Sequence, residues 1–313
     1  MPRPHTKKLR FETLESRAMC AGNVTAAVSN GALTVTGDNL SNTVSVESFS
    51  GGRIQVRGFN TSVNSTFGAP RVFNNVTGGV FINMNGGNDL LRVTNVILPG
   101  RLYIDMGAGN DQTVMGHDRA GGNSRFGGTS TGHLATYGDL TVFGRAGNDL
   151  LYQSYYHAKT PARIDMGDGD DTVRIQRLPG ENRDTRYRGA LTILTGTGTN
   201  LVNINGMLAQ TNFTITDQFN PSRLTFRNVN VQGELVANLG AGSDVVDSSG
   251  VGARRMTIKA GPGADLVSVK STRAVDAIFA GDGDADIYRD SRSLPNAFVS
   301  LQRTGFERIQ HVS

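Results

Sequence analysis

Carboxylates recur at one place in a repeated turn, and that recurrence is the first chemical signal in the chain. The turns are Asn85-Gly86-Gly87-Asn88-Asp89, Gly107-Ala108-Gly109-Asn110-Asp111, Arg145-Ala146-Gly147-Asn148-Asp149 and Gly167-Asp168-Gly169-Asp170-Asp171. Gly240-Ala241-Gly242-Ser243-Asp244 and Gly261-Pro262-Gly263-Ala264-Asp265 continue the series, with Gly196-Thr197-Gly198-Thr199-Asn200 and Gly281-Asp282-Gly283-Asp284-Ala285 as variants. If the segments stack as strands about 4.8 Å apart, Asp89, Asp111, Asp149, Asp171, Asp244 and Asp265 fall into rows. Neighbouring charges at that spacing repel by roughly 1 kcal/mol in water and roughly 3 kcal/mol at an effective dielectric of about 20. Two arrangements relieve the repulsion. One is an oxygen-loving cation such as Ca²⁺, which takes about 6–8 oxygen ligands. The other is ordinary turn chemistry, with Asp bonded to its own backbone or splayed into solvent beside Arg and Lys.

The elements that must position these turns follow from the flanks. Seven residues before each turn end stand Ile82, Ile104, Val142, Ile164, Ile193, Ile215, Ala237, Ile258 and Ile278. Two residues after it stand Leu91, Thr113, Leu151, Val173, Val202, Leu224, Val246, Val267 and Ile287. These positions alternate with polar residues, as in half-buried strands. A fixed offset over nine copies requires parallel, in-register stacking. The steps between turn ends are 22, 38, 22, 29, 44, 21 and 20 residues. The 44 hides a degenerate turn ending at Ser222, and the 38 and 29 are single coils with insertions near His117–His133 and Pro179–Arg188. The expected fold is all-β, a right-handed parallel β-solenoid of about ten coils of ~22 residues. This reading places Ala285, not Asp286, at the corner of the last regular coil. The expected organisation is a leader over 1–22, degenerate coils over 23–79, regular coils over 80–290 and a terminal cap over 291–313, with residues 23–313 forming one domain.

Composition narrows the function classes. Forty Gly, no Trp and 19% charged residues suit a turn-dense β protein. A formal charge of +4 and no basic run beyond Lys7-Lys8-Leu9-Arg10 give no case for nucleic acid. No apolar run reaches the ~20 residues of a membrane-spanning helix. One cysteine, Cys20, allows no internal disulfide.

Two resemblances add expectations. The turns resemble the Gly-Gly-x-Gly-x-Asp-x-apolar-x nonapeptide of haemolysin-type (RTX) calcium-binding proteins, Gly107–Thr113 and Gly167–Val173 most closely. That resemblance implies Ca²⁺ held by Asp89, Asp111, Asp149, Asp171, Asp244 and Asp265, in two groups because Asn200 and Ser222 interrupt the row. The family packs two nonapeptides per 18-residue coil, whereas this chain has one turn per ~22 residues. Residues 1–22, with Phe11-Glu12 and Leu14-Glu15-Ser16-Arg17, resemble the LEPR-type N-terminal segment of planctomycete exported proteins, which implies an extracellular or cell-surface location.

No Gly-x-Ser-x-Gly elbow, phosphate loop or zinc spacing occurs, and His5, His117, His133, His157 and His311 show no metal pattern. Tyr152, Tyr155, Tyr156 and His157 either stack on a sugar or pack under a loop. The expected function is a non-enzymatic structural or adhesive surface module, with extracellular polysaccharide or cell-surface components as partners. The alternative is a polysaccharide-active lyase or hydrolase, which needs charged groups converging on one groove.

Overall fold

The computed structural model describes residues 22–49, 53–94, 97–98, 100–116, 134–136, 138–177, 184–283, 285–291 and 296–312. The leader with Leu14-Glu15-Ser16-Arg17, most of the longer insertion, Arg183, His5, His117 and His133 lie outside the described residues. The described elements are all strands, and they wind into a parallel β-solenoid with three sheets.

The first sheet stacks Val80–Asn83, Leu102–Ala108, Leu140–Ala146, Ala162–Asp168, Leu191–Gly196 and Phe213–Asp217, each one coil above the last. The second stacks Leu90–Thr94, Gln112–Gly116, Leu150–Ser154, Thr172–Gln176 and the start of Leu201–Ala209. A shorter third sheet includes Ile97–Leu98, Leu134–Thr136, Tyr156–Ala158 and Thr185–Tyr187. The Gly-x-Gly-x-Asp turns join the first sheet to the second.

The alternating pattern does what it predicts. In Leu102–Ala108 the residues Leu102, Ile104 and Met106 are buried while Tyr103 and Asp105 face out. The column Ile82, Ile104, Val142, Ile164, Ile193, Ile215, Ala237, Ile258 is in register and at most 2% exposed. Leu91, Thr113, Leu151, Val173, Val202, Leu224, Val246 and Val267 form the facing column. Ser222 closes a true coil, since Leu201 pairs Arg223 and Arg223 pairs Val245.

The last regular coil corrects the column rule. Asp286, not Ala285, occupies the corner, fully buried. Phe279 pairs Ile258 and Tyr288 pairs Val267, so Phe279 and Tyr288 face inward while Ile278 and Ile287 do not. A shift of one residue exchanges the two faces of a strand. Here the shift brings two aromatic rings into contact, centroids 5.3 Å apart, and puts Ala285 in a left-handed turn position at φ 69°.

The two ends differ. Near the N-terminus Asn23–Ser29 pairs antiparallel with Ala32–Thr36, and Arg53–Gly58 lies antiparallel between Thr43–Phe49 and Arg71–Phe73. At the other end Ala297–Thr304 and Arg308–Val312 continue the first two sheets as a final coil. Arg303 takes the position below inward-facing Phe279 and lays its guanidinium 5.1 Å from the Tyr288 ring centre. A charge at an inward position blunts the edge of a stack.

Candidate functional site

The corner begins with glycine. Gly107 has φ +92° and a Cβ on it would lie 1.7 Å from Asn85 O; on Gly109, at φ +143°, it would lie 1.7 Å from Gly87 O. Successive turns therefore stack backbone on backbone, which no L side chain permits at these positions.

Stacked turns leave amide groups along the corner, and side chains satisfy them in two ladders. On the outer side, Asn110 N–H donates to Asn88 Oδ1 at 2.9 Å, Asn148 N–H to Asn110 Oδ1 at 2.8 Å and Asp170 N–H to Asn148 Oδ1 at 2.9 Å. On the inner side the direction reverses. Asp89 N–H donates to Asp111 Oδ1 at 2.7 Å, Asp111 N–H to Asp149 Oδ1 at 2.9 Å and Asp149 N–H to Asp171 Oδ1 at 2.8 Å. The ladder passes through Asn200 and Ser222 and continues from Asp244 N–H to Asp265 Oδ1 at 2.7 Å and from Asp265 N–H to Asp286 Oδ1 at 2.9 Å. The recurrent Asn before the Asp was the signal for the outer ladder, and it was visible in the turns.

The six predicted carboxylates are thus one column, yet they are not splayed into solvent. Asp89, Asp111, Asp149, Asp171, Asp244 and Asp265 are 1–4% exposed. Each Oδ1 accepts a neighbouring coil's N–H, and each Oδ2 is buried without a hydrogen-bond partner. Two positions in the same column disclose what Oδ2 faces. The Nδ2 of Asn42 donates to Leu40 O at 2.7 Å, and that of Asn200 donates to Gly198 O at 3.1 Å. The atom in that place looks at the carbonyl two residues before it. An ionised Asp there opposes oxygen to oxygen, which is unfavourable unless a proton or a cation lies between.

Burial accordingly raises the carboxyl pKa values, to about 6 at Asp111 and Asp244, about 7 at Asp89, Asp171 and Asp265, and about 8 at Asp149. The ladder bond to each carboxylate pulls the other way and is outweighed. At Asp149 the charges of Asp111 and Asp171 add to the rise. A cavity of about 10 Å³ lies against Asp111 and Asp149 beside Gly144, about the room of one water. At the Ser222 coil Asp217 enters the corner instead, taking hydrogen bonds from the Thr195 hydroxyl and, at 3.2 Å, Asn200 Nδ2.

Among the described residues, no three His, Cys, Asp or Glu side chains gather as a group able to hold a metal ion. A cation in the corner would therefore rest on Oδ2 atoms together with turn carbonyls, the hard oxygen donors that suit Ca²⁺.

In the tyrosine cluster Tyr152 and Tyr156 are buried as packing, while Tyr155 and His157 are half-buried with ring centres 5.6 Å apart. Tyr156 is fully buried, hydrogen-bonded to the Thr136 hydroxyl at 2.6 Å and edge-on to buried Tyr187, ring centres 5.9 Å apart. In the shorter insertion Arg177 pairs with Asp184, its Nε donating at 2.7 Å.

A second constellation, not singled out by the spacing, occupies the outer face of the first sheet. Phe81, Tyr103 and Phe143 step across three coils with ring centres 6.3 and 5.8 Å apart. Arg145 holds Asp105 through Nε at 3.0 Å and Nη2 at 2.6 Å, with its guanidinium 4.2 Å from the Phe143 ring centre. Arg163 binds Asp165 at 2.7 Å. A groove of about 350 Å³ runs between Phe143, Arg145, Asp165 and Asp168.

No protein-family model, no curated protein and no solved structure matches this chain, so its function is read from its own geometry.

Proposed function

We propose that the protein is an exported, non-enzymatic β-solenoid serving as a rigid structural or adhesive module at the cell surface. The observation that carries this reading is the corner column, in which the informative carboxylates bond to neighbouring coils and serve the stack as a whole. On the outer face, Asp105 and Asp165 are each engaged by an arginine, which favours a binding or scaffold role over proton transfer. Among the described residues, no helix is long and apolar enough to cross a membrane.

Once pH exceeds the raised pKa values and the column ionises, it needs a counter-charge, and we assign that role to Ca²⁺. Asp89, Asp111, Asp149, Asp171, Asp244 and Asp265 would hold it with the turn carbonyls, removing the oxygen-to-oxygen opposition described above. Thermal unfolding at pH 8 with Ca²⁺ and then with excess chelator tests this. An ion bound to the native state at 100 times its Kd stabilises by about 2.7 kcal/mol per site. Superimposable melting curves would remove calcium and leave the fold intact. Protease shaving of intact source cells tests the surface location; a protein cleaved only after lysis contradicts it.

A further inference from the structure

The outer face of the first sheet has a chemistry that the corner column does not use. Outward positions on a solenoid sheet carry no packing duty, and Thr34, Thr192 and Thr214 are what such a surface ordinarily holds. Over residues 80–168 the same face instead carries Phe81, Tyr103 and Phe143, all half-buried. Tyr103 pairs with Phe81 in the coil before and Thr141 in the coil after, while Phe143 stands opposite Asp105 and Asp165. Phe81 and Tyr103 therefore stand one directly above the other, and Phe143 follows one coil on and two residues along, at the 350 Å³ groove. Polar groups border them: the Tyr103 hydroxyl donates to Asp105 at 3.2 Å, and Asp165, Asp168, Arg145 and Arg163 line the lower edge.

We propose that this face binds a neutral polysaccharide strand. Its sugar rings pack against Phe81 and Tyr103 and against Phe143 on the side that the Arg145 guanidinium does not cover, and its hydroxyls bond to the Asp105–Arg145 pair, Asp165 and Asp168. Apolar rings bordered by a tyrosine hydroxyl, carboxylates and guanidinium groups suit a ligand that is apolar on its C–H face and hydroxylated at its rim. The charges commit the ligand to neutrality. Arg145 and Arg163 are engaged by Asp105 and Asp165, and Asp168 adds a further negative charge, so a polyanion or a nucleic acid meets repulsion instead of free cations. A peptide adding itself as a strand needs open backbone groups, yet Leu102–Ala108 and Leu140–Ala146 are already paired on both sides. This proposal rests on the reading of the protein as an adhesive surface module and gives that module its partner.

The test is affinity electrophoresis of the full chain in native gels containing hydroxyethylcellulose, glucomannan or laminarin, with polygalacturonate as the anionic comparison. Retardation by at least one neutral polymer is expected. Tyr103→Ala with Phe143→Ala should weaken it tenfold or more, and Thr141→Arg, which leaves the rings and crowds the face between them, should weaken it comparably. Thr257→Ala, on the same sheet several coils away, should leave it unchanged. No retardation by any of the three neutral polymers overturns the proposal. Equal retardation by polygalacturonate, or unchanged binding in both Tyr103→Ala/Phe143→Ala and Thr141→Arg, does so as well. Melting curves recorded on the same samples separate this outcome from failure of the scaffold reading, because a folded, calcium-responsive protein that binds no glycan refutes only the glycan site.

Discussion

The backbone N–H of Asp111 donates to Oδ1 of Asp149 at 2.9 Å although the two are 38 residues apart. Asp89 makes the same bond to Asp111 at 2.7 Å across 22 residues. The corner therefore keeps one geometry whether or not a coil carries an insertion. The described strands on either side of each insertion pair in register with the neighbouring coils, and the turn ladder continues across it.

Asp111→Asn keeps the acceptor for Asp89 N–H and places an amide where Asn42 and Asn200 already donate to a turn carbonyl. At pH 8 without divalent ions this variant should unfold at a higher temperature than the wild type. Asp111→Ala removes the acceptor from a buried N–H and should lose about 1–3 kcal/mol. Denaturant unfolding of both proteins checks the pair, and an Asn variant less stable than the Ala variant contradicts the assigned ladder.

Acidity should stabilise the chelated protein. The corner carboxyls have native pKa values of about 6 to about 8, raised first by burial, against 3.8 for an unperturbed Asp. Between roughly pH 4 and pH 8 the native state holds protons that the unfolded chain releases, so stability is greatest at the acidic end and falls as pH rises through the native values. Each tenfold difference in proton affinity between the folded and unfolded chain corresponds to about 1.4 kcal/mol per group. Melting temperature measured from pH 4.5 to 8.5 in chelator should decline steadily. Added Ca²⁺ should flatten the decline at its alkaline end. A profile that climbs with pH in chelator would refute the buried-carboxyl account.

Gly109→Ala should cost at least about 3 kcal/mol, combining a forced left-handed conformation with overpacking against Gly87 O. Ala108, its exposed neighbour in the turn, has no such constraint, and Ala108→Ser should change stability by less than about 0.5 kcal/mol. Urea midpoints for the two variants provide the comparison.

The solenoid interior predicts an alternation in mutational cost. Ile193→Ala, at a fully buried site, should lose about 2–5 kcal/mol. Thr192→Ala, one residue earlier and facing outward, should stay within about 0.5 kcal/mol. Equal losses at the two sites would contradict the assigned faces.

Much of this architecture was legible in the amino-acid order. Ile104, Val142 and Ile164 recur at a constant distance from their turns, and a strand with one buried face must keep apolar residues at period two. That requirement survives insertions and even the degenerate turn at Ser222. It failed at the last regular coil, where Ile278 and Ile287 fit the pattern as well as Phe279 and Tyr288 do. Ring stacking between Phe279 and Tyr288 and the bond from Asp265 N–H to Asp286 decided the phase there.

Residue order alone carried the repeat, the strand faces of every regular coil but the last, and six of the corner carboxylates, because these follow from local spacing. Asp217 and Asp286 were not among them. That Asp111 turns inward, accepts the Asp89 N–H at its Oδ1 and keeps its Oδ2 buried without a hydrogen-bond partner emerges from the stacked coils. Tertiary stacking also brought Phe143, two strand positions further along and beyond an insertion, beside Tyr103, whereas Phe81 and Tyr103 already share one place in successive coils. The physical reason is common to both: these relations run between coils, along the stacking axis, and stacking turns residues a whole coil or more apart into neighbours.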